Sequence, residues 1–365
     1  MKLKLTKIAA IAAGSLLAVS SASAEDAVVN VYNWSDYIAE DTIANFEKET
    51  GIKVNYDVFD SNEVLEAKML AGKSGYDVVV PSASFMARQI KAGVFGKLDK
   101  SKLPNIANLD PVIAERVAIY DPGNEYAVTY LWGTTGFGYN KAAIEKRMPD
   151  APVGSWDMIF DPDVVSKFKD CGVSLLDAPS EVFAAALQYL GIDPNSEKKE
   201  DLKKAEELLI KIRPNIKYFH SSQYINDIAN GDTCLAMGWS GDVLQARDRA
   251  DEADAGVEVA YTIPAEGALM WFDMLAIPVD ASHPDNAHKF VNFIMDAKNT
   301  AGITDYVSFA SGNAASMEHV SDEVKADPAV FPSEEVMEKL FVAKVTAPKF
   351  DRLRTRAWTR VKTGN

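Results

Sequence analysis

The sequence contains very few of the side chains that bind metal ions or act as nucleophiles in enzymes. Its 365 residues include 2 cysteines and 4 histidines, and the histidines at positions 220, 283, 288 and 319 are scattered along the chain. A helical zinc pair needs two histidines that are four residues apart, and these histidines do not have that spacing. We therefore expect neither a metal nor a cofactor.

The sequence also lacks a complete catalytic motif. The segment Gly238-Trp239-Ser240-Gly241 is one residue short of a nucleophile elbow, and no glycine-rich phosphate loop is present. Paired carboxylates such as Asp242 and Asp273 are able to serve as acid and base, as they do in glycosidases. We expect a protein that is not an enzyme, and a carboxylate-dependent hydrolase or lyase is the alternative.

Positive charge is scarce. The chain has 38 lysines and arginines against 53 aspartates and glutamates, which gives a formal net charge of −15. A negative field of this size repels phosphates and attracts small cations. Nucleic acid is therefore not an expected partner.

Only the N-terminus carries a long apolar run. Three lysines among the first seven residues precede the apolar residues 8–19 and a small-residue cleavage site, Ala22-Ser23-Ala24. This pattern is typical of a secretory signal, and the run is shorter than the roughly 20 residues that span a bilayer. We predict that residues 1–24 are a signal peptide cleaved near Ala24. The mature chain is then exported and soluble, because no cysteine follows the cleavage site to carry a lipid anchor.

The two cysteines, Cys171 and Cys234, are an isolated pair. In an oxidising compartment such a pair favours a disulfide over a metal site or a nucleophile, since no third ligand lies nearby in the sequence.

From residue 28 onward, short apolar runs alternate with helical patterns. Strands are predicted at 28–32, 52–58 and 77–80, and helices at 41–50, 62–70 and 84–92. This order predicts an α/β fold with a mostly parallel sheet flanked by helices.

A second α/β series is predicted after a segment rich in glycine and threonine, 132–139, which interrupts the first. The runs 257–263 and 269–277 look like strands that return to the first sheet. The length of the chain also favours two domains. We therefore expect two discontinuous lobes, residues 25–131 with 254–301 and residues 132–253 with 302–365, joined by crossings that act as a hinge.

Polar and aromatic residues follow several predicted strands. In open α/β sheets ligands bind beyond the carboxyl ends of the strands. The loops at these positions are 33–37, 81–85, 177–181 and 238–242, and the cluster 270–273 lies in or beside a strand. Carboxylates beside large aromatics suit a ligand with ammonium groups and an apolar spacer. Taken singly, these residues also fit structural roles: Asp36 and Ser82 as helix caps, Glu181 as a first-turn residue that complements the helix dipole, and the tryptophans as core.

Four segments together resemble the bacterial periplasmic putrescine-binding proteins, within the spermidine/putrescine group of ABC importer receptors. They are residues 31–38 (VYNWSDYI), 80–85 (VPSASF), 218–224 (YFHSSQY) and 352–358 (RLRTRAW). The resemblance covers essentially the whole mature chain. It implies a periplasmic receptor, two α/β lobes that close over a polyamine, delivery to an inner-membrane ABC permease, and a monomer.

The resemblance also implies a set of binding residues. By motif position these are Trp34, Ser35, Asp36, Tyr37, Ser82, Glu181, Trp239, Asp242, Trp271, Asp273 and Phe309, and the family's disulfide corresponds to Cys171 and Cys234. Two of these positions depart from the putrescine-binding pattern: Trp271 replaces a smaller phenylalanine, and Phe309 replaces a tyrosine. We expect putrescine as the ligand, with spermidine next, and another small cationic or neutral solute as the alternative.

Overall fold

The computed structural model describes residues 26–254 and 256–364. The predicted signal peptide lies outside these residues. Among the helices of the described part, none is both long enough and apolar enough to cross a membrane.

A central sheet organises the described residues. Its strands are β1 (Val28–Trp34), β2 (Lys53–Phe59), β3 (Val78–Val79), β4 (Ala127–Asn140), β5 (Val173–Leu175), β6 (Tyr218–Phe219), β7 (Leu235–Trp239), β8 (Val259–Thr262), β9 (Leu269–Ala276), β10 (Ala310–Ser311) and β11 (Phe341–Val342). The order is β2-β1-β3-β9-β4-β7-β5-β6, while β8 and β10 pair with β4, and β11 pairs with β9.

The strand directions differ between the ends and the middle of the sheet. At one end β1 is parallel to both β2 and β3, and at the other end β5 is parallel to both β6 and β7. In the middle, β4 is antiparallel to β9, and β9 is antiparallel to β3. The expected parallel pattern therefore holds for each end, and long antiparallel strands connect the two.

Helices connect and cover these strands. They are α1 (Thr42–Thr50), α2 (Asn62–Ala71), α3 (Ala83–Lys91), α4 (Pro111–Val117), α5 (Lys141–Arg147), α6 (Asp157–Phe160), α7 (Pro162–Val165), α8 (Pro179–Tyr189), α9 (Lys199–Ile212), α10 (Gln223–Ala229), α11 (Ser240–Glu252), α12 (Pro284–Ile294), α13 (Ala297–Val307), α14 (Asp322–Ala326), α15 (Glu334–Lys339) and α16 (Pro348–Thr363). Local signals set several ends. For example, Gly51 caps the C-terminus of α1, and its φ of 73° places it in the left-handed region that glycine tolerates.

The prediction that residues 132–139 interrupt the pattern is wrong, because they lie inside β4. The glycines of this segment allow close approach of neighbours. A Cβ at Gly136 would lie 2.1 Å from the carbonyl oxygen of Thr262 in β8, and a Cβ at Gly138 would lie 2.6 Å from Val243. Glycine here marks tight packing of a central strand and not a break.

The two late strands differ in their partners. Strand β9 returns to the first series as predicted, since Val79 of β3 pairs with Ala276. Strand β8 instead pairs with the second half of β4. The apolar pattern identifies a strand but not its neighbour. The division into two lobes stays a prediction; its first boundary falls inside β4.

The disulfide and the C-terminal helix both contact elements of the second α/β series. Cys171 and Cys234 are bonded to each other. Helix α16 packs against α8 and α9, and its Trp358 is buried and donates a hydrogen bond from Nε1 to Asp177 at 2.6 Å.

Candidate functional site

Ten of the eleven predicted binding residues line one cavity, whose empty space, counted together with its opening to solvent, is about 370 Å³. They are brought together because several of them end a strand or start the helix that follows it, and the carboxyl ends of β1 and β7, which run in opposite directions in the sheet, point towards each other. We call this space the central cavity, and its lining is Trp34, Ser35, Tyr37, Ser82, Glu181, Trp239, Asp242, Trp271, Asp273 and Phe309.

The first carboxylate of the central cavity, Asp273, lies in β9 and is 4% exposed. Its Oδ1 accepts a hydrogen bond of 2.6 Å from the hydroxyl of Ser82, which precedes α3. Ser82 is itself held by Asn62, whose side chain donates to Ser82 Oγ at 2.9 Å and accepts from its backbone N–H at 3.0 Å. Burial raises the pKa of Asp273 to about 7.

The second carboxylate, Asp242, lies in the first turn of α11 and is 5% exposed. The hydroxyl of Tyr224 donates to its Oδ2 at 2.8 Å. Burial raises the pKa of Asp242 to about 8, although this hydrogen bond acts in the opposite direction.

The third carboxylate, Glu181, lies in the first turn of α8. Its Oε2 accepts hydrogen bonds from the Thr135 hydroxyl at 2.5 Å and from Trp239 Nε1 at 2.9 Å. Burial raises the pKa of Glu181, and these two donors oppose the shift. The helix-dipole role of Glu181 and its place in the cavity are thus compatible.

Aromatic rings form the walls. The Trp34 and Trp239 rings meet edge to face, with centroids 5.5 Å apart, and Trp34 Nε1 donates to the carbonyl of Val80 at 2.8 Å. On another side, the Phe309 ring is 5.3 Å from Trp271 and 5.2 Å from Tyr37. These rings present their faces and edges to whatever the cavity holds.

Two glycines let Phe309 approach the central cavity. A Cβ at Gly133 would lie 2.9 Å from Phe309 and 2.8 Å from Trp271. A Cβ at Gly241 would lie 2.6 Å from Phe309. Any larger residue at either position therefore has to displace these rings.

The charge of the central cavity is one-sided. Its lining, taken over the described residues, contains three carboxylates and no lysine, arginine or histidine. The polar neighbours are neutral donors such as Ser82, Thr135 and Tyr224. Buried carboxylates without a cation are stabilised in their neutral form, which agrees with the raised pKa values. The arrangement therefore suits a ligand that brings its own positive charge.

Asp36 is the predicted binding residue that lies outside this lining. Its carboxylate accepts a hydrogen bond of 2.6 Å from Arg249 of α11, and both side chains are about one-third exposed. The chain turns sharply here, with a φ of 54° at Asp36, a value that aspartate tolerates better than most residues. The capping role expected for Asp36 is also absent, since α1 begins after Asp41.

The sequence did not identify Asn62, Thr135 and Tyr224. Thr135 and Tyr224 donate to the carboxylates Glu181 and Asp242, and Asn62 holds Ser82, which donates to Asp273. Tyr224 lies in YFHSSQY, one of the four segments that carry the family resemblance, so that segment was a signal from which it could have been identified. Thr135 and Asn62 carried no local signal, because each reaches its carboxylate or its neighbour only through long-range contacts.

Comparison with known proteins identifies the family of the chain. The family described as bacterial extracellular solute-binding protein matches residues 41–332. The chain is 55% identical over 361 residues to the putrescine-binding periplasmic protein PotF of Escherichia coli (strain K12), covering 98% of each chain. It is 55% identical over 360 residues to the putrescine-binding periplasmic protein SpuD of Pseudomonas aeruginosa (strain UCBPP-PA14), again covering 98% of each.

Among solved structures, the spermidine/putrescine ABC transporter substrate-binding protein PotD from Streptococcus pneumoniae is similar, with a TM-score of 0.73 and 29% sequence identity. The similarity covers 92% of this chain and 99% of that chain. The predicted resemblance is therefore confirmed: this chain belongs to the bacterial extracellular solute-binding proteins, in the group of the periplasmic putrescine-binding proteins.

Proposed function

We propose that this protein is a periplasmic receptor that captures a small polyamine, putrescine first, in the central cavity and delivers it to an ABC importer. The observation that carries this proposal is the lining of the cavity, where buried carboxylates and aromatic rings occur without a cationic side chain. A diammonium ligand supplies the missing charge at its ends and an apolar chain between them.

Each part of the ligand has a matching group. Ammonium groups form charge-assisted hydrogen bonds with Asp242, Asp273 and Glu181. The rings of Trp34 and Trp239 cover the methylenes and add cation–π attraction of roughly 0.5 to 2 kcal/mol.

Ligand binding couples to closure of the lobes. Ser82 and Asp273 belong to the first predicted lobe, and Glu181 and Asp242 belong to the second. A ligand that contacts both groups binds the closed form more tightly than the open form, and this difference in affinity drives closure. The edge-to-face contact of Trp34 with Trp239 supports this view, because it joins the same two lobes.

The role is binding and transport rather than catalysis, as in the relatives. The membrane partner is the permease of an ABC importer. A monomer suffices for this role, since residues of one chain line the whole cavity.

Spermidine is the second candidate ligand. A neighbouring pocket shares Ser82, Glu181 and Trp271 with the central cavity. A longer chain that extends past the central carboxylates enters this pocket. The rings of Trp271 and Phe309, which pack together, narrow the central cavity and favour the shorter ligand.

Isothermal titration of ligand-stripped protein tests the proposal. The panel is putrescine, cadaverine, spermidine and spermine, with lysine as the control that adds a carboxylate to a diamine. We expect saturable heat at one site, strongest for putrescine, and no turnover of the ligand. Absence of heat from every polyamine contradicts the proposal, and tighter binding of spermidine reverses the order of the two ligands.

A further inference from the structure

Tyr224 connects two walls of the central cavity without lining it. The residue lies in α10 and is fully buried. Its hydroxyl donates to Asp242 Oδ2 at 2.8 Å and accepts from the backbone N–H of Trp239 at 3.1 Å. One oxygen atom thus contacts a carboxylate and the backbone of an aromatic residue, and both of these residues line the cavity.

These two hydrogen bonds reinforce each other. A hydroxyl that accepts a hydrogen bond becomes a better donor, so the Trp239 N–H strengthens the bond to Asp242. The bond occupies Oδ2 and limits rotation of the carboxylate. The other oxygen, Oδ1, then keeps a fixed direction and stays available to a ligand.

We propose that Tyr224 is a positioning residue that sets the orientation and ionisation of Asp242 for polyamine binding. The proposal rests on the function proposed above. It attributes part of the affinity for the polyamine to a residue that does not touch the ligand.

Gly238 makes this position of Tyr224 possible. A Cβ at Gly238 of β7 would lie 2.5 Å from Tyr224 Cε2 and 3.0 Å from its hydroxyl. Such contacts are too close for real side chains, so any substitution at Gly238 has to move the tyrosine ring. The Gly238→Ala variant is therefore a second way to displace the hydroxyl, independent of any change to Tyr224 itself.

The ionisation of Asp242 reports on this hydrogen bond. Burial and the charges of Asp36 and Asp273 raise the pKa of Asp242, whereas the Tyr224 hydroxyl and Arg249 lower it. Removing the hydroxyl therefore raises this pKa further. Loss of packing alone has no such effect, so the pH profile of binding separates the two explanations.

The test compares the parent with Tyr224→Phe, Asp242→Asn and the double variant, by titration with putrescine from pH 6 to pH 8. For Tyr224→Phe we expect affinity to be about tenfold to hundredfold weaker at pH 7, in line with loss of a hydrogen bond to a charged group. We also expect the fall in affinity to begin at a higher pH. In the Asp242→Asn background, Tyr224→Phe has a smaller effect.

Tyr218→Phe is the matched control. It removes a similar hydrogen bond, from a tyrosine hydroxyl to Asp227 at 2.7 Å, at a site outside the central cavity. Putrescine affinity and its pH profile stay unchanged in this control. If Tyr224→Phe does not fold, Gly238→Ala takes its place with the same expected signature.

Two results overturn the inference. One is an unchanged affinity and pH profile in Tyr224→Phe. The other is an equal loss with and without the Asp242 carboxylate, which means that the tyrosine acts elsewhere. A parent protein that binds no putrescine refutes the proposed function instead, so the two failures are distinct.

Discussion

Binding of putrescine has to release protons, because the empty cavity holds its carboxylates partly neutral. Burial raises the pKa of Asp242 to about 8 and that of Asp273 to about 7. Amines such as that of lysine titrate near a pKa of about 10.4, so the ligand stays doubly charged between pH 6 and pH 8. A change of pH in this range therefore alters the protonation of the protein alone.

The size of the effect follows from these two values. At pH 7 most Asp242 and about half of Asp273 carry a proton in the empty cavity, so about one to two protons leave when the dication binds. Between pH 8 and pH 6, protonation weakens binding about 50-fold through Asp242 and about tenfold through Asp273. The combined loss of affinity is about 500-fold, nearly three orders of magnitude.

Isothermal titration at pH 6, 7 and 8 measures this effect. At each pH, two buffers with different ionisation enthalpies give the number of protons released. Asp242→Asn is the control, and it releases about one proton fewer at pH 7. Equal affinity at pH 6 and pH 8, with heats that do not depend on the buffer, means that the empty cavity does not hold protonated carboxylates.

The same carboxylates predict how stability changes with pH in the absence of ligand. The unfolded pKa of an aspartate is near 3.9, and the folded pKa values are higher. The two protonated aspartates therefore stabilise the folded state fully below about pH 3.9. This stabilisation is lost as the pH rises through their folded pKa values of about 7 and 8. Thermal unfolding at pH 5 and pH 8 is expected to show a larger fall for the parent than for Asp242→Asn, and an equal fall contradicts it.

Three further substitutions test the site and the fold. Asp273→Asn is expected to weaken putrescine binding about tenfold to hundredfold, as measured by titration. The control Asp322→Asn, at an exposed position, has no effect. Equal putrescine affinity in both variants means that Asp273 does not bind the ligand. Asp36→Asn breaks an ion pair whose side chains are about one-third exposed and which is worth about 0 to 1 kcal/mol, so putrescine affinity changes less than about fivefold. A loss as large as that of Asp273→Asn indicates instead that Asp36 contacts the ligand directly. Replacing Cys171 and Cys234 by serine opens a loop with a sequence separation of 63. We expect the free energy of unfolding, measured with denaturant, to fall by about 4 kcal/mol. An unchanged free energy of unfolding contradicts this prediction.

Local sequence patterns located most of the secondary structure. The helix predicted at 41–50 is observed at Thr42–Thr50, and the strand predicted at 28–32 is observed at Val28–Trp34. Apolar periodicity and a terminal glycine are local signals, so they depend little on the rest of the chain. The glycines in β4 wrongly predicted an interruption of the strand pattern. They allow the strand to approach residues that are distant in sequence, and a local pattern does not reveal such contacts.

The rule that ligands bind beyond the strand ends located the central cavity. It singled out the loops that contain Trp34, Ser82, Glu181 and Asp242. The rule gives positions but not partners. Asp36 follows β1 as expected, yet its carboxylate pairs with Arg249, which is 213 residues away in sequence.

The amino-acid sequence alone indicates the family, the α/β class and the chemical character of the site, since carboxylates and aromatics keep their nature in any context. Folding sets which groups meet and how they ionise. Asp242 and Asp273 have raised pKa values because long-range folding buries them among neutral donors. The support from Tyr224 likewise exists only when α10 packs beside α11. Burial and orientation are properties of the folded chain, because no local segment contains them.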